Sequence, residues 1–138
     1  MRPLFRIYYS PAFQSAQLDR RRIVLPPSLR ALKGRTILFM TDLHSSPMFP
    51  PRALERLIDQ ANALRPDLAL LGGDLAETAQ DQAEALPILA RLSAPLGAYA
   101  VMGNNDYHHT RVEGRALTDC LRDAGIATLI DSEAVIPV

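Results

Sequence analysis

Thr36-Ile-Leu-Phe-Met-Thr-Asp-Leu-His44 is the stretch from which the fold can be read. Its four apolar residues between threonines make a run that is short and nearly continuous, as in a strand buried on both faces of a parallel sheet. The polar residues that close it, Asp42 and His44, fall where open α/β sheets keep their chemistry, beyond the carboxyl end of a strand. On an extended segment, side chains two residues apart point the same way, so Asp42 and His44 would face one target.

Downstream the pattern recurs. After Pro50-Pro51, apolar residues fall at Leu54, Leu57, Ile58, Ala61 and Leu64, with Arg52, Arg56 and Asp59 opposite, which predicts a helix with Pro51 in its first turn. Asp67 to Leu71 reads as a second buried strand, closed by Gly72-Gly73. A helix is expected over 79–92 with an irregularity at Pro87, then a strand over 97–102 ending at Gly103. A further helix is expected over 112–123, stopped by Gly125, followed by short strands over 126–130 and 134–138. Upstream, residues 15–25 alternate loosely and read as an edge strand ended by Pro26-Pro27. Strand and helix alternate throughout, so the class is α/β, a parallel sheet with helices packed on it.

Three strand ends carry the chemistry: Asp42-Leu43-His44, Gly73-Asp74 and Gly103-Asn104-Asn105-Asp106. Asp42 to Asp74 is 32 residues and Asp74 to Asn104 is 30, each one strand-helix-strand unit, so the clusters should meet on one sheet edge. Each alone reads equally as a turn with an Asx cap. In this order, each closing a buried strand, they read as a metal site. Carboxylate, imidazole and amide oxygen suit Mn²⁺, Fe or Zn²⁺. A central carboxylate such as Asp74 can bridge two ions, which clamp a phosphoryl centre and acidify a water into a nucleophile. Glycines before Asp74 and Asn104 let the backbone turn sharply beneath.

Composition leaves these motifs to name the function. At 138 residues with 48% apolar and 22% charged residues, the chain is globular and of single-domain size. Its formal net charge is zero, yet residues 1–36 carry eight basic groups against Asp19, a net +7, and the remainder −7. Such a leader either touches an anionic surface, lipid headgroups or nucleic acid, or forms a solvated Arg-rich strand pair. Cys120, the only cysteine, allows no intrachain disulfide and reads as a buried thiol. No apolar run approaches the ~20 residues of a membrane span, and the N-terminus lacks the apolar stretch of a secretion signal. A cytoplasmic chain is the expectation, with contact to the inner face of the membrane through its basic N-terminus and no specific nucleic-acid signal. No Gly-x-Gly-x-x-Gly or Walker loop supports a flavodoxin-like or nucleotide-binding domain.

Thr41-Asp-Leu-His44, Gly73-Asp-Leu-Ala-Glu77 and Gly103-Asn-Asn-Asp106 resemble the first three motifs of the calcineurin-like metallophosphoesterases. Arg65-Pro-Asp-Leu-Ala-Leu-Leu71 and residues 94–102 are similar to a bacterial branch with membrane-associated phosphodiesterases and lipid-A-pathway pyrophosphatases. The resemblance covers about residues 18–138. It implies a layered sandwich of mixed sheets with flanking helices, of which residues 17–138 form the N-terminal portion behind a leader of residues 1–16. It also implies two divalent ions, Asp42 and His44 on the first, Asp74 bridging, Asn104 on the second. The substrate it implies is a phosphoester or phosphodiester, in this branch lipid-linked, hydrolysed by metal-activated hydroxide. Asn105 and Asp106 take catalytic places, Asp106 by orienting a neighbouring loop or ligand, and His108 is a substrate contact at the rim. Glu77 is expected to cap a helix start.

The family usually has histidine where this chain has Asn105, which donates a hydrogen bond but delivers no proton. Its later His and Gly-His-x-His motifs have no counterpart here, since the remaining histidines, His108 and His109, directly follow the third motif. The expectation is therefore the first half of a domain, with weak or no turnover alone; the rival is an inactive remnant serving as an interaction module.

Overall fold

The computed structural model describes residues 19–136. In chain order the elements are a 3₁₀ helix (Pro27–Leu32), β1 (Ile37–Met40), α1 (Pro51–Ala63), β2 (Leu68–Leu71), α2 (Ala79–Leu89), β3 (Ala98–Ala100), α3 (Asn104–His108), β4 (Arg111–Val112), β5 (Arg115–Ala116), α4 (Leu117–Asp123) and β6 (Ile126–Thr128). The fold is α/β, with a four-stranded sheet in the order β1-β2-β3-β6 and a separate β4-β5 hairpin. Every pairing in the larger sheet is parallel, with Ile37 beside Leu68, Ala69 beside Ala98 and Ala98 beside Ile126.

This order runs one way across the sheet. Right-handed crossovers that never reverse direction stack all their helices on one face. Burial follows: Met40, Ala69, Leu71, Ala98, Ala100 and Ile126 are sealed with Leu54 and Ile58 of α1, Ala85 and Leu89 of α2, and Leu117 and Leu121 of α4. Each fully buried leucine contributes roughly 1.5–3 kcal/mol relative to exposure. The alternate residues tell the opposite story. Ile37 is 52% and Phe39 63% exposed, so the expectation that β1 is buried on both faces fails.

Other expectations shift for local reasons. No strand forms over residues 19–25; Ile23 and Val24 lie exposed without a partner strand, and Pro26-Pro27 opens the 3₁₀ helix instead. The rest of that expected strand, residues 15–18, lies outside the described residues. The helix expected over 112–123 is split. Glu113 and Gly114 both have left-handed φ, 49° and 81°, the geometry of a two-residue hairpin turn, so β4 and β5 pair before α4 begins. α2 stops at Leu89, two residues past Pro87. Residues 134–136 form no strand, and 137–138 lie outside the described residues. Cys120 is free and half-buried.

Asp67 sets the register that brings the site together. Its carboxylate accepts from the Thr36 N–H and the Arg35 guanidinium, each at 2.8 Å, tying the approach to β1 against β2. Those bonds, the Thr36 N–H foremost, hold its carboxyl below the usual carboxylate range.

Candidate metal centre

Beyond their strands, the β1 and β2 loops stay side by side. Asp42 N–H donates to Gly73 C=O and His44 N–H to Asp74 C=O, both at 3.0 Å; Ser45 N–H reaches Leu75 C=O and Glu77 N–H reaches Ser45 C=O, both at 3.1 Å. Along this ladder Asp42, His44 and Asp74 have φ of 54°, 45° and 52°. They are three of the six non-glycine residues with left-handed φ among the described residues. Such conformations cost of order 1–3 kcal/mol and gather where the surroundings impose them for a purpose. Asp42 and His44 thus turn together through left-handed residues, not through the strand alternation expected of them.

The result is a cluster in which one donor atom each of Asp42, His44 and Asp74 lies within 4.8 Å of the others. Asp42 is exposed, His44 half-buried and Asp74 the most enclosed. The ring of His44 is polarised by its neighbours: Nε2 lies 3.8 Å from Asp42 Oδ1, and Nδ1 lies 2.7 Å from Glu77 Oε1. Asn104, with its amide nitrogen turned to the carboxylate, donates to Asp74 Oδ2 across 3.1 Å. The Asn105 N–H donates to Asp74 Oδ1 at 2.8 Å, and its side-chain nitrogen lies 3.3 Å from both Glu77 Oε2 and His44 Nδ1.

Two glycines permit this approach. Gly73 has φ 93°, and a Cβ there would strike the Gly103 backbone; a Cβ on Gly103 would strike the Asp74 carboxylate. Gly103 has an ordinary φ of −84°, so its glycine is needed for space alone. Beneath them Asp106 is fully buried, its carboxylate accepting from the N–H groups of Asp74 (2.8 Å), Gly103 (2.9 Å) and Leu75 (3.2 Å). Its three charge-assisted bonds hold the second and third loops in place, the loop-orienting part expected of Asp106.

Glu77 is the residue that sequence reasoning misplaced. Thr78 caps α2, its Oγ1 accepting from the Asp81 N–H at 3.1 Å, whereas Glu77 turns back to His44. The signal was its place in Gly73-Asp-Leu-Ala-Glu77, three residues beyond Asp74. His108 ends α3 exposed, and no hydrogen bond or ion pair joins it to the cluster among the described residues. An open cleft of about 380 Å³ adjoins the site, bounded by Asp42, His44 and Glu77 together with Leu43, Met48 and Phe49.

Two carboxylates and an imidazole, converging in strained backbone with an amide alongside, fit a divalent cation of the Mn²⁺, Fe or Zn²⁺ kind. A family model for calcineurin-like phosphoesterases matches residues 35–135. A transmembrane protein with metallophosphoesterase domain from Danio rerio is 32% identical over 111 residues, 80% of this chain and 24% of that protein. UDP-2,3-diacylglucosamine pyrophosphatase LpxG of Chlamydia muridarum is 32% identical over 85 residues, 60% of this chain and 26% of its own. The Bacillus subtilis metallophosphoesterase YkuE is 32% identical over 77 residues, 54% and 27%. The chain thus spans about a quarter of the length of these curated relatives.

Proposed function

This chain belongs to the calcineurin-like phosphoesterase family, and from that premise we propose that residues 17–138 supply the front portion of a metal-dependent hydrolase acting on phosphoester bonds. The observation that carries the proposal is the convergence of Asp42, His44 and Asp74 within 4.8 Å at the ends of two adjacent parallel strands. In it Asp42, His44 and Asp74 would hold one divalent ion, and Asp74 with Asn104 would hold a second. Bound there, such ions polarise a phosphoryl oxygen and lower the pKa of a water. The protein's own groups position the reactants. Asp106 fixes the loops carrying Asp74 and Asn104, and Asn105 offers an amide N–H as a hydrogen-bond donor beside the reacting phosphoryl group. An amide gives up no proton, so substrates whose leaving oxygen needs little protonation, an aryl oxide or a phosphate in an anhydride, suit this site best.

For the substrate, the Chlamydia relative is by name a pyrophosphatase of a diacylated UDP-sugar, which favours a lipid-linked phosphoester or anhydride here. Among the described residues no helix is long and apolar enough to cross a membrane. The basic N-terminal stretch, +7 over residues 1–36, supports a cytoplasmic protein meeting the anionic inner face of a membrane. His108, exposed on α3, is assigned in this reading to substrate contact at the rim.

The test is Mn²⁺ titration by calorimetry, with turnover of an aryl phosphodiester followed in parallel. Saturable binding that disappears in Asp74→Ala is expected, with weak turnover by this chain. Absence of saturable binding, or binding that survives Asp74→Ala, overturns the metal site.

A further inference from the structure

His44 is gripped from the side away from the metal cluster. Its Nδ1 faces Glu77 Oε1 at 2.7 Å, while Nε2, on the other edge of the ring, faces Asp42. Glu77 does not reach this place by chance of rotamer alone. Its backbone N–H is bonded to Ser45 C=O at 3.1 Å within the bridge that pairs Ser45 with Ala76. Its second oxygen accepts from the Asn105 side chain at 3.3 Å. The same Asn105 nitrogen is 3.3 Å from His44 Nδ1, but two donors cannot bond each other, and the 2.7 Å contact to a carboxylate decides the matter in favour of an Nδ1–H.

We propose that Glu77 is a positioning residue for His44: by accepting the Nδ1–H it fixes the ring tautomer and orientation so that the Nε2 lone pair points at the cation, with Asn105 steadying the carboxylate. The inference rests on the metal-centre reading above. Carboxylates that hold a ligating imidazole in this way raise its basicity, and their loss typically weakens metal affinity about 10–100-fold.

The experiment uses the full chain with ¹⁵N-labelled histidine and Zn²⁺, which leaves NMR signals unbroadened. Long-range proton–nitrogen correlation of the metal-free protein is expected to place the hydrogen of His44 on Nδ1, and on Nε2 in Glu77→Ala. Calorimetric Zn²⁺ affinity should fall about 10–100-fold in Glu77→Ala and recover in part in Glu77→Gln, whose amide oxygen still accepts from Nδ1–H. A wild-type hydrogen on Nε2, unchanged affinity in Glu77→Ala, or Glu77→Gln binding no better than Glu77→Ala would each overturn the proposal. If the wild type takes up no Zn²⁺, the metal site fails, and the metal-free spectra still judge the pairing of Glu77 with His44.

Discussion

Leu70 and Leu71 are neighbours on β2, yet they belong to different environments. Leu71 is 2% exposed, locked among Met40, Ala100 and the helices, while Leu70, between Phe39 and Tyr99 on the other face, is only partly covered. The same holds across the sheet. One face is roofed by α1, α2 and α4; the other carries Ile37, Phe39, Leu68, Leu70 and Tyr99 with no helix over them among the described residues. Residue type does not distinguish the faces, since both are apolar. Strand order does: a sheet wound in one direction can be covered by its own crossovers on one side only.

The largest effect that could break this contrast is in the two leucines themselves. Leu71→Ala is expected to lose about 2–5 kcal/mol of stability in urea unfolding, and Leu70→Ala less than about 1 kcal/mol. Equal losses would mean that the open face is packed in solution. Asp106 extends the sealed side to the loops, so Asp106→Asn should cost about 1.5–3 kcal/mol through its weakened bonds to three backbone amides. A smaller loss, read in the same unfolding measurement, would mean that the loops hold their shape without it.

On the open face the sign should differ. Exposed apolar surface of this kind drives association, so the chain is expected to run larger than a monomer on a sizing column. Phe39→Lys should shift it toward the monomer, with stability changed by no more than about 0.5 kcal/mol. A sharp monomer peak for the unaltered chain would show the face to be tolerable in water.

How much of this was legible beforehand depends on distance along the chain. Leu54, Ile58 and Ala61 announced α1 because a helix is a local pattern, and the ordered motifs announced Asp42, His44 and Asp74. The exposure of Phe39 was not legible, because an apolar run reads alike whether a layer is present above it or not. Nor was the tie from Glu77 to His44, 33 residues away in sequence, since it depends on two loops continuing a strand ladder. The β4-β5 hairpin was hidden for another reason. Val112, Leu117 and Leu121 are spaced closely enough to pass for one helix, and only Glu113-Gly114 marked the turn.

The smallest effect expected lies at the foot of the sheet. Asp67 has its carboxyl lowered beneath the ordinary value of 3.8 by the Thr36 N–H and then Arg35. A carboxyl lowered in the folded state adds stability above its ordinary value and loses that contribution as the pH falls through the depressed one. Acid titration of Asp67→Asn should therefore show a shallower loss of stability below about pH 4 than the parent. Parallel acid limbs would mean that the Thr36 and Arg35 bonds do not persist in solution.

Gly73 and Gly103 meet backbone to backbone, and that contact constrains what the gene can become. Any single-base change that replaces a glycine writes a residue with a Cβ or ends the chain. At Gly73 that atom would land on Gly103, and at Gly103 on Asp74. Both would occupy the same gap, so a change at one position cannot be relieved by a smaller residue at the other, for none is smaller. The pair has no compensating partner and no neutral path, and a library of point variants should be depleted at these two codons together.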